Sequence, residues 1–452
     1  MRELVEFDKT DIAAMLEILV TSEKIKPTQY VKREVLKKYG LLATAKDRVI
    51  TAIIYEIGRR LGLIDRIYTQ VLTLDKDELD PWTRASLRLI TFACQFRRND
   101  VELIGATRIY TPLVIKDVLG QEEAWRIRNY FSKICGFSYK PKTDDERLEM
   151  KFMVSAWIIK KLENEIGREE TVELLKAINE RPPLSLRVNT LKASVEEIIQ
   201  ELKKLNIDAW ISPYVPTVIK FRGRINYEEF KPFTEGKVIP QEDSSAMASI
   251  ILNPKPGEVV VDLCAAPGGK TTHIAELMKN QGKIYAFEIY EDRAEYLRNL
   301  LRRAGVTIAE VIVEDARKAP ELLGRGMADR VLLDPPCSST GTLAKNFEAR
   351  WRIDDGKLSE LTALQKELLR SAILIAKVGG RILYTTCSVF IEEGEEVIRS
   401  VLEEFSDVLK LVPLRGPFSE GFLPGTMRAW PHKHRTTGFF YALLEKVREV
   451  NV

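Results

Sequence analysis

VVVDLCAAPGGKTTHIAELM (259–278) carries the fold. Three valines lead into Asp262, a run of small residues and two glycines make a turn, and an amphipathic stretch follows. That is a buried strand, a tight turn and a helix. The same grammar recurs downstream in KIYAFEI (283–289), AEVIVED (309–315), ADRVLLD (328–334) and GRILYTT (380–386). Helical patterns such as EDRAEYLRNLLRRAG (291–305) lie between these runs. Continuous apolar strands alternating with helices predict a parallel sheet covered on both faces. Residues 235–450 are therefore expected to form a doubly wound, Rossmann-like α/β domain, whose ligands sit beyond the carboxyl ends of its strands.

The turn after the first strand lets backbone approach a ligand closely, and it opens a helix whose N-terminus favours negative charge. Glu288 closes the second strand about 20 residues past the turn, where an acid accepts from a ribose diol. Asp315 closes the third in the same way. The G-x-G-x-x-G spacing is absent and Pro267 stands in the loop, so a pyrophosphate cradle is not indicated. A ribose-bearing ligand without phosphate fits better, and S-adenosyl-L-methionine is the expected cofactor. An NAD-dependent oxidoreductase is disfavoured on the same ground.

The fourth strand ends in Asp334-Pro335-Pro336-Cys337-Ser338, and the fifth in Tyr384-Thr385-Thr386-Cys387-Ser388. If these strands are neighbours, both thiols open into one crevice. A lone strand-end cysteine usually serves as a small hydrophobe, but two at equivalent ends suit chemistry. Carbon 5 of a pyrimidine is not nucleophilic by itself. A thiolate adding to carbon 6 makes carbon 5 reactive toward a sulfonium methyl, and a second thiol can assist release. Asp334 is placed to hold the ring nitrogen or amino edge of the base.

Upstream the grammar differs. Residues 1–143 read as all-helical, with apolar residues at helical spacing over 49–72 and a helix start at Asp80-Pro81. Trp82 and Phe92 are expected in its core. The polar KPKTDDE (140–146) reads as a linker, LEMKFMVSAWIIKKLENEI (148–166) and EETVELLKAINE (169–180) as helices. Strand-like LSLRVNT, AWISP and TVIKF flank helical SVEEIIQELKKL, so 147–234 is expected to add a small α+β (RRM-like) segment. Its basic KFRGR (220–224) could face a phosphate backbone or be a solvated strand.

At 452 residues the chain suits about three domains of ~150 residues. Hydrophobic residues at 45% and charged residues at 30% exclude both a disordered chain and a membrane bundle. The start MRELVEFDKTD lacks an apolar signal segment, so a cytoplasmic protein without membrane contact is expected. A net charge of +3 is no polyelectrolyte, and any nucleic-acid surface must be a local patch. Five cysteines without C-x-x-C spacing signal neither a disulfide framework nor a metal site.

PQEDSSAMAS, DLCAAPGGKTTHIAELM, DPPCSSTGT, YTTCS and GFFYALLEK, in this order, resemble the RNA 5-methylcytosine methyltransferases of the Fmu/Sun type over roughly residues 150–449. The resemblance implies Cys387 as nucleophile and Cys337 as the residue resolving the covalent adduct; related DNA enzymes use the other cysteine. It places cofactor on Cys264, Ala265, Ala266, Pro267, Gly268, Gly269 and Lys270, with Glu288, Asp315 and Asp334, and Arg293 nearby. Lys270 is implied beside the target base. Two departures stand out: Glu288 replaces the more usual Asp, and Thr437-Gly438 replaces Asp-Gly. His432 and His434 precede the latter and could be catalytic or merely surface residues. ELDPWTRASLRLITFACQF (78–96) is similar to the NusB-like helical RNA-binding fold of rRNA-directed members, with Arg59, Arg60, Arg97 and Arg98 as candidate phosphate contacts.

The expectation is thus an S-adenosylmethionine-dependent RNA (cytosine-5) methyltransferase, monomeric and metal-free, acting on rRNA. The alternatives are a tRNA substrate, an amino-group methyltransferase clamping its base with Asp-Pro-Pro, and an RNA-binding factor with a vestigial catalytic fold.

Overall fold

The computed structural model describes residues 6–24 and 28–450, and the chain divides into two units. Residues 1–5 of the opening MRELVEFDKTD lie outside the described residues. One unit holds the chain up to Lys160 with Arg350–Arg352; the other holds Lys161–Ala349 and Ile353–Val452. Helices such as Lys9–Lys24, Ala45–Arg59, Val101–Leu119 and Gln121–Gly136 build the first. Ile50, Ile53, Ile54 and Ile57 show why: they recur on one helix face and are buried in its core. Phe92 is buried there and Trp82 packs against the same cluster. Asp80 accepts the Trp82 N–H at 2.8 Å, starting the helix Pro81–Thr91 as its sequence predicts.

Local details depart from the sequence reading. The pattern over 49–72 is two helices, because Arg60 leaves helical geometry (φ −111°, ψ 12°) before Leu61–Leu72. The linker 140–146 is half helix: Thr143 and Glu146 form a capping box that starts Asp144–Phe152. The pattern over 148–166 breaks at Met153, in left-handed backbone at φ 56°, before Ala156–Ile166. Cys94 and Cys135 are disulfide-bonded, contrary to expectation. They lie 41 residues apart and meet only through packing of Phe92–Phe96 on Gln121–Gly136, so spacing carries no trace of the pair. Arg59, Arg60, Arg97 and Arg98 all have partners within this unit: Glu56 for the first two, Asp100 for Arg97, and Gln95 with the Phe137 carbonyl for Arg98.

In the second unit, Leu184–Val188 (β1), Asp208–Ile211 (β2), Val218–Arg222 (β3) and Val238–Pro240 (β4) form an antiparallel sheet in the order β2-β3-β1-β4. The helix Val195–Lys204 buries Ile198 and Leu202 in the core beneath it. The basic stretch 220–224 does not present a uniform face. Lys220 is buried, ion-paired to Asp243 at 2.9 Å and donating to the Arg435 carbonyl, while Arg222 and Arg224 are exposed.

Arg187 on β1 is fully buried. Its guanidinium donates to the Gln241 side chain, Thr272 Oγ1 (2.7 Å) and the Gly269 carbonyl (3.2 Å), and it pairs with Glu276. β1 is thereby bolted to the start of the helix Gly269–Leu277. Arg187→Leu is expected to destabilise the protein by about 3–5 kcal/mol, because Glu276 is left charged and buried without its partner. Urea unfolding measures this, and a change below about 1 kcal/mol would mean that the bolt carries no stability.

The larger sheet comprises Val259–Asp262 (β5), Lys283–Glu288 (β6), Ala309–Val313 (β7), Ala328–Leu333 (β8), Ala376–Thr386 (β9), Leu409–Val412 (β10), Ser419–Glu420 (β11), Met427–Ala429 (β12) and Phe439–Lys446 (β13). Its order is β11-β12-β13-β9-β8-β5-β6-β7, with β10 also paired to β13. The five predicted strands are β5 to β9, and their pairings are parallel. Apolar clusters around Val261, Leu333 and Tyr384 on one side and Val260, Leu332 and Leu383 on the other cover both faces. The order reverses between β5 and β8, which opens the crevice at their carboxyl ends. Among the described residues no helix is long and apolar enough to cross a membrane.

Candidate active site

Four strand ends bring four acids to the same edge of the sheet. β5 ends at Asp262, which is buried; Thr271 Oγ1 donates to its Oδ2 at 2.7 Å and its Oδ1 has no partner. Burial pushes this carboxyl up to about 6, with Thr271 and Lys270 opposing. Cys264 follows, its thiol pushed well up by burial. Ala265 and Ala266 are buried small residues, and Pro267 leads into Gly268. Gly268 has φ +106°, and a Cβ there would lie 2.6 Å from Leu297 Cδ1, so glycine is required. Gly269 starts the helix that carries Lys270.

Glu288 at the end of β6 accepts the Tyr290 N–H at 3.1 Å and lies 3.3 Å from Arg293 Nη2. Arg293 also donates to the Ala266 carbonyl at 2.8 Å, tying this acid to the glycine loop. Asp315, just past β7, is gripped by Arg317 at 2.6 Å, and that hydrogen bond holds its carboxyl below the usual range. Asp334, just past β8, pairs with Lys270 Nζ at 2.5 Å. Burial opposes the Lys270 ammonium, but the Asp334 charge outweighs it and holds Lys270 above its ordinary value. Phe439 of β13 lies under the same ammonium at 5.1 Å.

β8 and β9 are neighbours, with Leu333 opposite Tyr384. The thiols that follow them therefore meet, Cys337 Sγ 3.1 Å from Cys387 Sγ. Hydrogen bonding to Cys387, then burial, pushes the Cys337 thiol well up, so it keeps its proton. The Gly341 N–H donates to the Cys387 carbonyl at 2.9 Å, and the Gly438 N–H to the Gly341 carbonyl at 2.8 Å. A Cβ on Gly341 would sit 2.1 Å from the Gly438 oxygen, so this backbone crossing admits only glycine. At the departure Thr437, the hydroxyl lies 2.6 Å from Ser244 Oγ in a buried contact. Each of the two histidines has a partner of its own. His432 Nε2 lies 2.6 Å from Glu170 Oε2, and His434 Nδ1 accepts the Trp430 N–H at 2.9 Å.

Sequence reading passes over Glu393, Gln365 and Arg187, all fully buried. Glu393 lies in the acidic run IEEGEE (391–396), which in sequence looks like a solvated helix start. Gln365 sits within the long helix Asp355–Ile375 with no motif around it.

The donor set suits S-adenosylmethionine. An unpartnered buried carboxylate oxygen on Asp262 and further acids at three neighbouring strand ends favour a ribose diol and a cationic ligand. Among the described residues no cluster of three His, Cys, Asp or Glu side chains could hold a metal.

A Rossmann-like sheet with acids and paired thiols gathered at the carboxyl ends of its strands is the frame of an S-adenosylmethionine-dependent methyltransferase. Residues 249–445 match the family model described as 16S rRNA methyltransferase RsmB/F, and residues 154–228 match the ferredoxin-like domain of the same proteins. The ribosomal RNA small subunit methyltransferase B of Klebsiella pneumoniae is 34% identical over 66% of this chain and 68% of its own length. The tRNA (cytosine(49)-C(5))-methyltransferase of Pyrococcus abyssi is 36% identical over 58% of this chain and 88% of its own. The solved structure of PH0851 is 45% identical, with TM-score 0.92 over 98% of this chain and 100% of that one. The chain belongs to the RsmB/F family of RNA cytosine-C5 methyltransferases, and its methyl donor is S-adenosyl-L-methionine.

The buried Asp262 has a testable pH signature. Its raised pKa means that its contribution to stability is present below pH ~3.8 and is lost as pH rises through about 6. Asp262→Asn, which cannot ionise, is expected to be more stable than wild type at pH 7 by up to about 3 kcal/mol and equal to it near pH 3.5. Thermal unfolding at both pH values checks this; a difference of the same size at both would sink it.

Proposed function

We propose that this enzyme methylates carbon 5 of a cytosine in ribosomal RNA, with Cys387 as nucleophile and Cys337 assisting release. The observation that carries the reading is the 3.1 Å approach of two thiols beside the Lys270–Asp334 pair. Cys387 Sγ adds to carbon 6, and the electrons of the 5,6 double bond shift toward carbon 5. S-adenosylmethionine, when bound, supplies a sulfonium methyl for that carbon to take up. Asp334 and Lys270 hold the base edge, and Cys337 assists the step in which the carbon 5 proton leaves and the Cys387–carbon 6 bond breaks. The target base must be unstacked to expose carbons 5 and 6, so a loop or flipped cytosine is the substrate.

In this reading residues 235–450 are catalytic, 147–234 extend the RNA groove, and the helical region 1–143 is a NusB-like RNA-binding domain. The protein works in the cytoplasm as a monomer. rRNA is favoured because the match to the rRNA enzyme covers more of this chain than the match to the tRNA enzyme. Bisulfite sequencing of rRNA and tRNA from cells with and without the gene tests it. An rRNA cytosine that loses protection without the gene supports the proposal, and loss confined to tRNA replaces it with the second reading.

Glu288 and Arg293 serve the cofactor in this scheme. Glu288→Ala is expected to weaken S-adenosylmethionine binding roughly tenfold or more by calorimetry, since a charged acceptor contributes about 1.5–3 kcal/mol. Unchanged affinity would remove Glu288 from the cofactor site.

A further inference from the structure

The two thiols lie on loops beyond the strand pairing, where side chains must hold them. Glu393 does so from a fully buried position. Its carboxylate accepts the backbone N–H of Ser338 at 2.8 Å, the Ser338 hydroxyl, and the Gln365 amide at 3.0 Å. The same Gln365 amide nitrogen donates to the Pro336 carbonyl at 2.9 Å, so both residues flanking Cys337 are tied to this one cluster. The Tyr384 hydroxyl donates to the Glu393 carbonyl at 2.7 Å, joining β9 to it.

The cluster continues across to the other sulfur. Ser338 Oγ and Thr340 Oγ1 each lie 3.1 Å from the hydroxyl of Ser388, the residue after Cys387. The Val389 N–H donates to Thr340 Oγ1 at 3.1 Å. Among the described residues no Lys or Arg pairs with Glu393, and its carboxylate accepts from neutral donors. A buried carboxylate held that way is costly, and an apolar or neutral side chain would be cheaper for stability alone.

We propose that Glu393 is a positioning residue that sets the approach of the Cys337 and Cys387 sulfurs by clamping the loops that carry them. This rests on the proposed function, in which both sulfurs serve the reaction. The test measures alignment without methyl transfer. A diazene oxidant such as diamide takes two electrons and two protons from a thiol pair, giving a disulfide and the reduced hydrazine. Its rate of cross-linking Cys337 to Cys387, followed by peptide mass mapping, reports how well the two are aligned. Glu393→Gln keeps the size but turns an N–H group toward one of the two Ser338 donors, and is expected to slow cross-linking about tenfold or more. If Glu393→Gln does not fold, Ser338→Ala, which deletes one hydroxyl, is expected to slow it in the same direction. Wild-type rates in a folded variant overturn the proposal.

A parallel arm traps the enzyme on RNA containing 5-fluorocytosine. Glu393-dependent cross-linking with no wild-type adduct keeps the positioning role and removes the covalent reading. A wild-type adduct with cross-linking indifferent to Glu393 does the reverse.

Discussion

Cys387→Ala is expected to abolish methyl transfer, by about four orders of magnitude or more, because in the proposed mechanism it removes the nucleophile and leaves only binding and orientation. Cys337→Ala keeps the proposed attacking sulfur and is expected to accumulate a covalent protein–RNA adduct, visible as a shifted band on a denaturing gel. The surroundings of the two sulfurs differ. Cys337 hydrogen-bonds Cys387, is buried, and faces the charges of Glu393 and Asp334, all of which keep its proton on. Lys270, whose ammonium is paired to Asp334, is also coupled electrostatically to Cys387, which puts a cation near that sulfur. An adduct in the Cys387→Ala lane and none in the Cys337→Ala lane would exchange the two roles.

The second large effect is expected at Asp334. Asp334→Asn removes the charge that balances Lys270 at 2.5 Å and, in the proposed mechanism, weakens the grip on the base edge. kcat is expected to fall about 10²–10⁴-fold, in the range of a lost acid–base or charge-stabilising group. Because the two side chains form one unit, Asp334→Asn combined with Lys270→Met should cost much less than the product of the single effects. Single-turnover methylation separates this from binding. A variant with normal kcat and only a raised KM for S-adenosylmethionine would place Asp334 in cofactor holding alone.

Much of the catalytic domain is legible in the residues alone. Strands leave a strong signal when both faces are covered, and β5 to β9 each carry a short apolar run: VVV, IYAF, VIV, VLL and ILY. The strand-end position of Asp262, Glu288 and Asp315 follows from the same runs, since a carboxylate stops an apolar strand. Helix ends are harder to read. Arg60 and Met153 interrupt patterns whose periodicity continues through them, because the apolar spacing is satisfied on both sides of the break. Lys220 reads as part of a basic face and is instead buried against Asp243, a partner 23 residues away that no local pattern announces.

One dimension thus sufficed for the chemistry on offer: two thiols, four strand-end acids, a lysine in a glycine turn, and the strands that carry them. Periodicity and residue type are local properties, and each can be read along the chain without knowing what packs on it. Which groups act together was settled by packing. The 3.1 Å approach of Cys337 and Cys387 required β8 and β9 to be adjacent and parallel. Glu393, Gln365 and Arg187 took on meaning only once packing excluded water from them, since burial leaves each donor and acceptor with no alternative to the partner it has.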